Sequence, residues 1–143
     1  TGTHAQRLSL IEVTDLARAL ATVAEGGGKG GVVYEVDDGT RGGYSFAEIA
    51  AAAEHTTGRH GRLVLLPRPL VQAAALAAEG WMKLSGKPVI LNRGKVAELY
   101  HPDWVCSGPR LQDESGWKPQ IRFAEGFAST LHWYRQNGWL PAP

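Results

Sequence analysis

Two places in the chain carry side chains suited to gripping a small anionic or ring-bearing molecule. Arg7 has a planar fork of donors that can clamp a diphosphate through two parallel hydrogen bonds. In His101-Pro102-Asp103-Trp104 the indole can stack on a base or a sugar, with a histidine and a carboxylate beside it. The plainer readings are a solvated strand end for Arg7 and a packing group for Trp104. Arg59, Arg62, Arg68 and Arg93 could rim an anionic substrate, or simply face solvent. His4, His55, His60, His101 and His132 have no metal-ligand spacing with one another or with Cys106, so no metal is expected. The cluster Gly26 to Gly31 reads as a helix-to-strand turn. A phosphate-binding glycine turn needs the opposite order, strand then helix.

The length, 143 residues, is that of one domain with a real core. A hydrophobic fraction of 43% and a charged fraction of 20% are ordinary for a soluble globular chain. Fifteen basic and fourteen acidic side chains leave a formal charge of +1, which makes no electrostatic case for nucleic acid or an anionic membrane. The single cysteine excludes an internal disulfide and suits a reducing compartment. No apolar run is long enough to span a bilayer and the first residues do not read as a signal peptide, so a soluble, cytoplasmic protein is expected.

The elements that must position these residues follow from periodicity and caps. Arg7 to Val13 suits a strand, with branched side chains at Ile11 and Val13. Thr14 and Asp15 can cap the helix that follows, and capping is the first duty expected of Asp15. Val32 to Val36 reads as a second strand. A β–α–β order then predicts two parallel strands in one sheet. Ser45-Phe46-Ala47-Glu48 has capping-box spacing and opens a helix ending near Gly58. Arg62 to Leu66 is a short strand candidate. Pro67 and Pro69 lead into a helix over Leu70 to Leu84. Asn92 can cap a short helix through Tyr100. Ser107, with Pro109 just inside, starts another that stops at Gly116. Phe123, Phe127, Leu131 and Tyr134 mark a closing amphipathic helix.

Several of these segments resemble one known family. Arg7 through Ala17, with Val13-Thr14-Asp15-Leu16-Ala17 at its end, is similar to the late strand–helix segment of NAD(P)-dependent epimerase/dehydratase-type extended short-chain dehydrogenases/reductases (SDR). Glu12 stands where that family usually has histidine. Val33-Tyr34-Glu35-Val36 resembles its last sheet strand, and Tyr44 to Ile49 the opening of the next helix. Leu111 to Pro119, with Gly116-Trp117-Lys118-Pro119, and Ala124 to Tyr134 resemble its closing elements.

The resemblance implies an α/β fold: the C-terminal part of a Rossmann-like extended SDR, with its last parallel strands, plus a mostly helical substrate-binding subdomain. The division implied is one partial domain, with residues 1–40 the last β–α–β of the dinucleotide-binding sheet and 41–143 the substrate-binding subdomain. In such enzymes this region contacts substrate, and Arg7, His101, Asp103 and Trp104 are the candidate contacts. The family's catalytic pair is Tyr-x-x-x-Lys. The residues four beyond Tyr34, Tyr44, Tyr100 and Tyr134 are Asp38, Glu48, Trp104 and Gly138, so the chain has no catalytic residues of that kind. The implied function is the substrate-binding C-terminal region of an NAD(P)-dependent oxidoreductase, epimerase or dehydratase, with a nucleotide-sugar as one candidate substrate. NAD or NADP would belong to the full-length parent, with no cofactor bound tightly by these residues. A missing N-terminal Rossmann part and self-association are the implied partners. Two other readings are a non-catalytic SDR-like binding or assembly module, and an unrelated helical interaction domain. The second would lack parallel pairing between Leu8–Val13 and Val32–Val36.

Overall fold

The computed structural model describes residues 6–141. Helices dominate them: α1 (Val13–Thr22), α2 (Phe46–Thr57), α3 (Arg68–Ser85), α4 (Arg93–Leu99), α5 (Pro109–Ser115) and α6 (Phe123–Gln136). Three two-residue strands, β1 (Arg7–Leu8), β2 (Tyr44–Ser45) and β3 (Asp103–Trp104), form a mixed sheet in the order β2-β1-β3. β1 pairs antiparallel with β2 and parallel with β3, in register Arg7 to Ser45 and Arg7 to Asp103.

This sheet corrects the expected α/β architecture. The chain is mostly helical, and no Rossmann-like set of parallel strands is present among the described residues. Both edges of β1 are taken, one by β2 and the other by β3, so Val32–Val36 has no ladder to join there. That segment is held instead by packing. Tyr34 and Val36 lie with Ile11 against the buried cluster of Ala19, Leu111 and Trp117. One backbone bond, from the Asp38 N–H to the Leu10 carbonyl at 2.8 Å, ties its end to the stretch after β1. Arg62 to Leu66 is likewise not a strand.

The helix starts are set by local chemistry. Glu12, not Thr14 or Asp15, caps α1: its carboxylate accepts from the Thr14 and Asp15 N–H groups. α2 carries the expected capping box, with Ser45 and Glu48 satisfying each other's backbone donors, and stops at Gly58. Asn92 caps α4 through the Lys95 N–H at 2.9 Å. α5 departs from expectation, because Gly108 rather than Ser107 occupies the cap and makes no side-chain bond. The Gly108 backbone lies so close to the Glu35 carbonyl that a Cβ there would overlap it.

α1 continues into a five-residue π-turn, Val23–Gly27, broken at Gly26 with φ 94°. The glycine run is then pinned from outside. The Lys29 N–H donates to the Tyr34 hydroxyl at 2.7 Å, which donates to Glu114 at 2.5 Å. Arg110 and Lys29 add donors to the same carboxylate at 3.0 and 3.3 Å. The Tyr34 hydroxyl, then Arg110 and Lys29, hold the Glu114 pKa down from 4.5 to about 2. A depressed carboxylate stabilises the fold above its unfolded pKa, and that contribution disappears as pH falls through the folded value. Side-chain NMR of Tyr34 and Lys29 should therefore show a step centred at pH about 2, and Glu114→Gln should remove that step. A step unchanged by Glu114→Gln would assign it to another group.

A second, separate cluster holds α3 on α4. Val71, Ala75 and Val96 are buried together, with Leu91 and Tyr100 against them. α2 packs on α6.

Candidate functional site

β1 and β3 bring the four sequence candidates into one neighbourhood. Arg7 and Asp103 are register partners. The Trp104 indole is half exposed, its ring centre 4.7 Å from that of His101. Arg7 and Trp104 border a cleft of about 320 Å³ that Leu8, Phe46, Glu98 and Leu99 also line, whereas His101 and Asp103 do not line it. Gln6 closes its floor, donating to the Leu99 and His101 carbonyls at 2.9 and 2.6 Å.

The chemistry there is structural more than receptive. The Arg7 Nε donates to the Gly42 carbonyl at 2.5 Å, and its Nη2 to the Gly43 carbonyl at 2.7 Å and to Glu48 at 3.2 Å. Donors committed in this way fasten the turn before β2 and do not present a fork to a diphosphate. The bond from the Ser45 N–H, more than the charge of Arg7, holds the Glu48 carboxyl below its usual range. The Trp104 Nε1 donates to the Glu98 carbonyl at 3.3 Å, and the His101 ring packs against the half-exposed indole. The Asp103 carboxylate accepts from the Val105 N–H at 3.0 Å.

A larger and more apolar cavity, about 390 Å³, lies between the start of α1 and α6. Leu10, Ile11, Val13, Phe123 and Phe127 form its walls, with Glu12, Asp38 and Thr130 at its margins. Gly126 lets α6 approach Glu12 closely; a Cβ there would lie 2.9 Å from Glu12 Cγ. The start of α6 is fixed by two carboxylates from far away in sequence. Asp15, fully buried, accepts from the Gln120 and Ile121 N–H groups at 2.8 Å each and pairs with Arg18. Asp38, 2% exposed, accepts from the Phe123 N–H at 3.0 Å, the Thr40 N–H at 3.0 Å and the Tyr44 hydroxyl at 2.5 Å. Burial first, and then the bond to Asp38, raise the pKa of Tyr44.

Sequence reasoning missed this cavity. Phe123 and Phe127, one helical turn apart, signal a buried face, but nothing local says that the opposing wall is Leu10 to Val13.

The Gly26–Gly31 run leads into Val32–Val36 rather than a helix, and the Tyr34 hydroxyl occupies the Lys29 N–H. Burial raises the thiol pKa of Cys106, and its Sγ faces the Val36 carbonyl and Asp37.

A ceramide reductase of Caulobacter vibrioides (strain NA1000 / CB15N) is 33% identical to the chain over 135 residues, covering 94% of it. The chain spans 41% of that protein's length. No family model matches the chain, and neither does any solved structure. These findings, with the mixed sheet, overturn the expected membership of the epimerase/dehydratase-type extended SDR group and the isomerase reading that came with it. The quoted pieces are mainly helix starts, caps and glycine stops. Unrelated helical chains reach such pieces for the same local reasons.

Proposed function

We propose that the chain is the substrate-side region of a reductase acting on a ceramide-class lipid. The observation that carries this reading is the 33% identity, over nearly the whole chain, to a protein named for that activity. The apolar cavity supports it. Its walls of Leu10, Ile11, Val13, Phe123 and Phe127 suit an acyl or sphingoid chain, and its volume falls in the range of small-molecule sites. The polar groups at its margin would lie beside the lipid's amide and hydroxyls.

A reductase needs a hydride donor. NAD or NADP fills that role in this proposal, held by parts of the protein outside these 143 residues. A nucleotide-sugar substrate finds no support, because Arg7 is committed to carbonyls and Glu48. The expected absence of parallel pairing in a helical interaction domain does match the sheet, but the relative's activity favours the reductase.

The test is binding of a fluorescent ceramide analogue to the chain. Saturable binding should weaken about tenfold or more in Phe127→Asp, since a charge in an apolar wall must be desolvated. In protein extended to the relative's length, NADH or NADPH oxidation should depend on a ceramide-class carbonyl lipid. Turnover of a nucleotide-sugar with no lipid response would sink the reading.

A further inference from the structure

The near-zero charge of the chain averages two unlike regions. Between residues 59 and 95 lie seven basic side chains (Arg59, Arg62, Arg68, Lys83, Lys87, Arg93 and Lys95) and one acid, Glu79. That stretch carries net +6, while the remainder, with eight basic and thirteen acidic residues, carries −5. The basic stretch covers α3, the loops on either side of it and the start of α4; Glu98, further along α4, brings residues 59–99 to +5.

α3 has an apolar face on the side away from α4. Val71 and Ala75 point into the α4 cluster. A separate, exposed side presents Leu70, Ala77, Trp81 and Leu84 at helical spacing with no charge among them. Leu70 is 62% exposed, Trp81 63% and Leu84 86%, and Ile90 just beyond the helix is 88% exposed. A solvent-facing helix would carry charges there. Instead, the charges flank the apolar face: Arg68 at its start, Lys83 and Lys87 at its end.

We propose that α3 is a peripheral membrane-binding helix that lies on an anionic phospholipid surface. Its leucines and Trp81 would sink to the headgroup boundary while flanking Lys and Arg meet lipid phosphates. Charge complementarity selects this occupant. A +6 region with exposed leucines between its cations suits a surface both apolar and anionic. A nucleic acid would want the cations without the leucines. No helix among the described residues is long and apolar enough to cross a membrane. This inference does not depend on the substrate assignment, because the probe vesicles contain no ceramide.

The experiment is co-sedimentation of the chain with phosphatidylcholine vesicles, with and without phosphatidylglycerol. Anionic vesicles should be bound at least about tenfold more tightly, given the attraction of each surface cation. In 1 M salt, where the screening length is about 3 Å, that difference should collapse. Trp81→Glu with Leu84→Glu should abolish binding, and Lys83→Glu with Lys87→Glu should weaken it about tenfold or more. All four positions are on the surface, so circular dichroism should show folded variants. Phospholipid brominated near the headgroup should quench the wild type and quench Trp81→Phe less. No sedimentation with anionic vesicles would overturn the proposal. So would binding indifferent to Trp81 and Leu84, DNA binding that survives their substitution, or a dimer that Leu84→Glu dissociates in a chain that ignores vesicles.

Discussion

Asp15→Ala is expected to remove about 2–5 kcal/mol of stability, the cost of leaving two backbone donors without their buried acceptor. The carboxylate is fully buried and accepts from two backbone N–H groups, of Gln120 and Ile121. Truncation leaves both donors without a partner in a place that water reaches poorly, and it leaves Arg18 beside the gap. Since domains are stable by only about 5–15 kcal/mol, the variant should be marginal at room temperature. Arg18→Ala is the informative contrast. Removing that side chain keeps both backbone bonds but leaves the buried carboxylate without a counter-charge, so a smaller loss of about 2 kcal/mol is expected. Urea unfolding of the two variants distinguishes the contributions. Equal losses would mean that the ion pair, not the backbone anchoring of α6, carries the effect.

Gly108→Ala should cost about 3 kcal/mol, at the upper end of overpacking. The obstacle is the main-chain carbonyl of Glu35, which cannot rotate away as a side chain would. Relief requires moving either the start of α5 or the Val32–Val36 segment, and both carry the Leu111–Trp117 cluster. Gly61→Ala serves as the control. No atom lies within 4 Å of its added Cβ, and a change within about 0.5 kcal/mol is expected. A Gly108→Ala midpoint in urea equal to that of Gly61→Ala would show that the two segments can separate freely.

The helices were legible in the sequence because their determinants are local. The Ser45–Glu48 box, the Asn92 cap and the glycine stops at Gly58 and Gly116 each act within one turn. The sheet was not legible. β1 finds its parallel partner at Asp103–Trp104, and no local rule ranks that pairing above Val32–Val36. Asp15 shows the same limit within one side chain: a carboxylate at a helix start looks like a cap, yet it serves residues 105 and 106 positions away. The candidate contacts fared unevenly. Arg7 and His101–Trp104 lie far apart in the sequence, and the sheet places them together, but the bonds that engage the Arg7 fork come from a turn 35 residues on. Charge was readable all along. Averaging over the chain concealed it.

The two carboxylates that hold the start of α6 also bear on the order in which the chain assembles. α3 and α4 meet across a short connection, so their contact closes a small loop and can form early. α6 has nothing comparable. Asp15 holds Gln120 and Ile121 just ahead of the helix and Asp38 holds Phe123 at its start, and those contacts span most of the chain. Closing so long a loop costs entropy before any bond repays it, which slows a chain in proportion to how remote its contacts are. During synthesis from the N-terminus, both aspartates leave the ribosome long before Gln120 and Phe123 exist. The α1 end of the apolar cavity therefore waits, open, for its other wall.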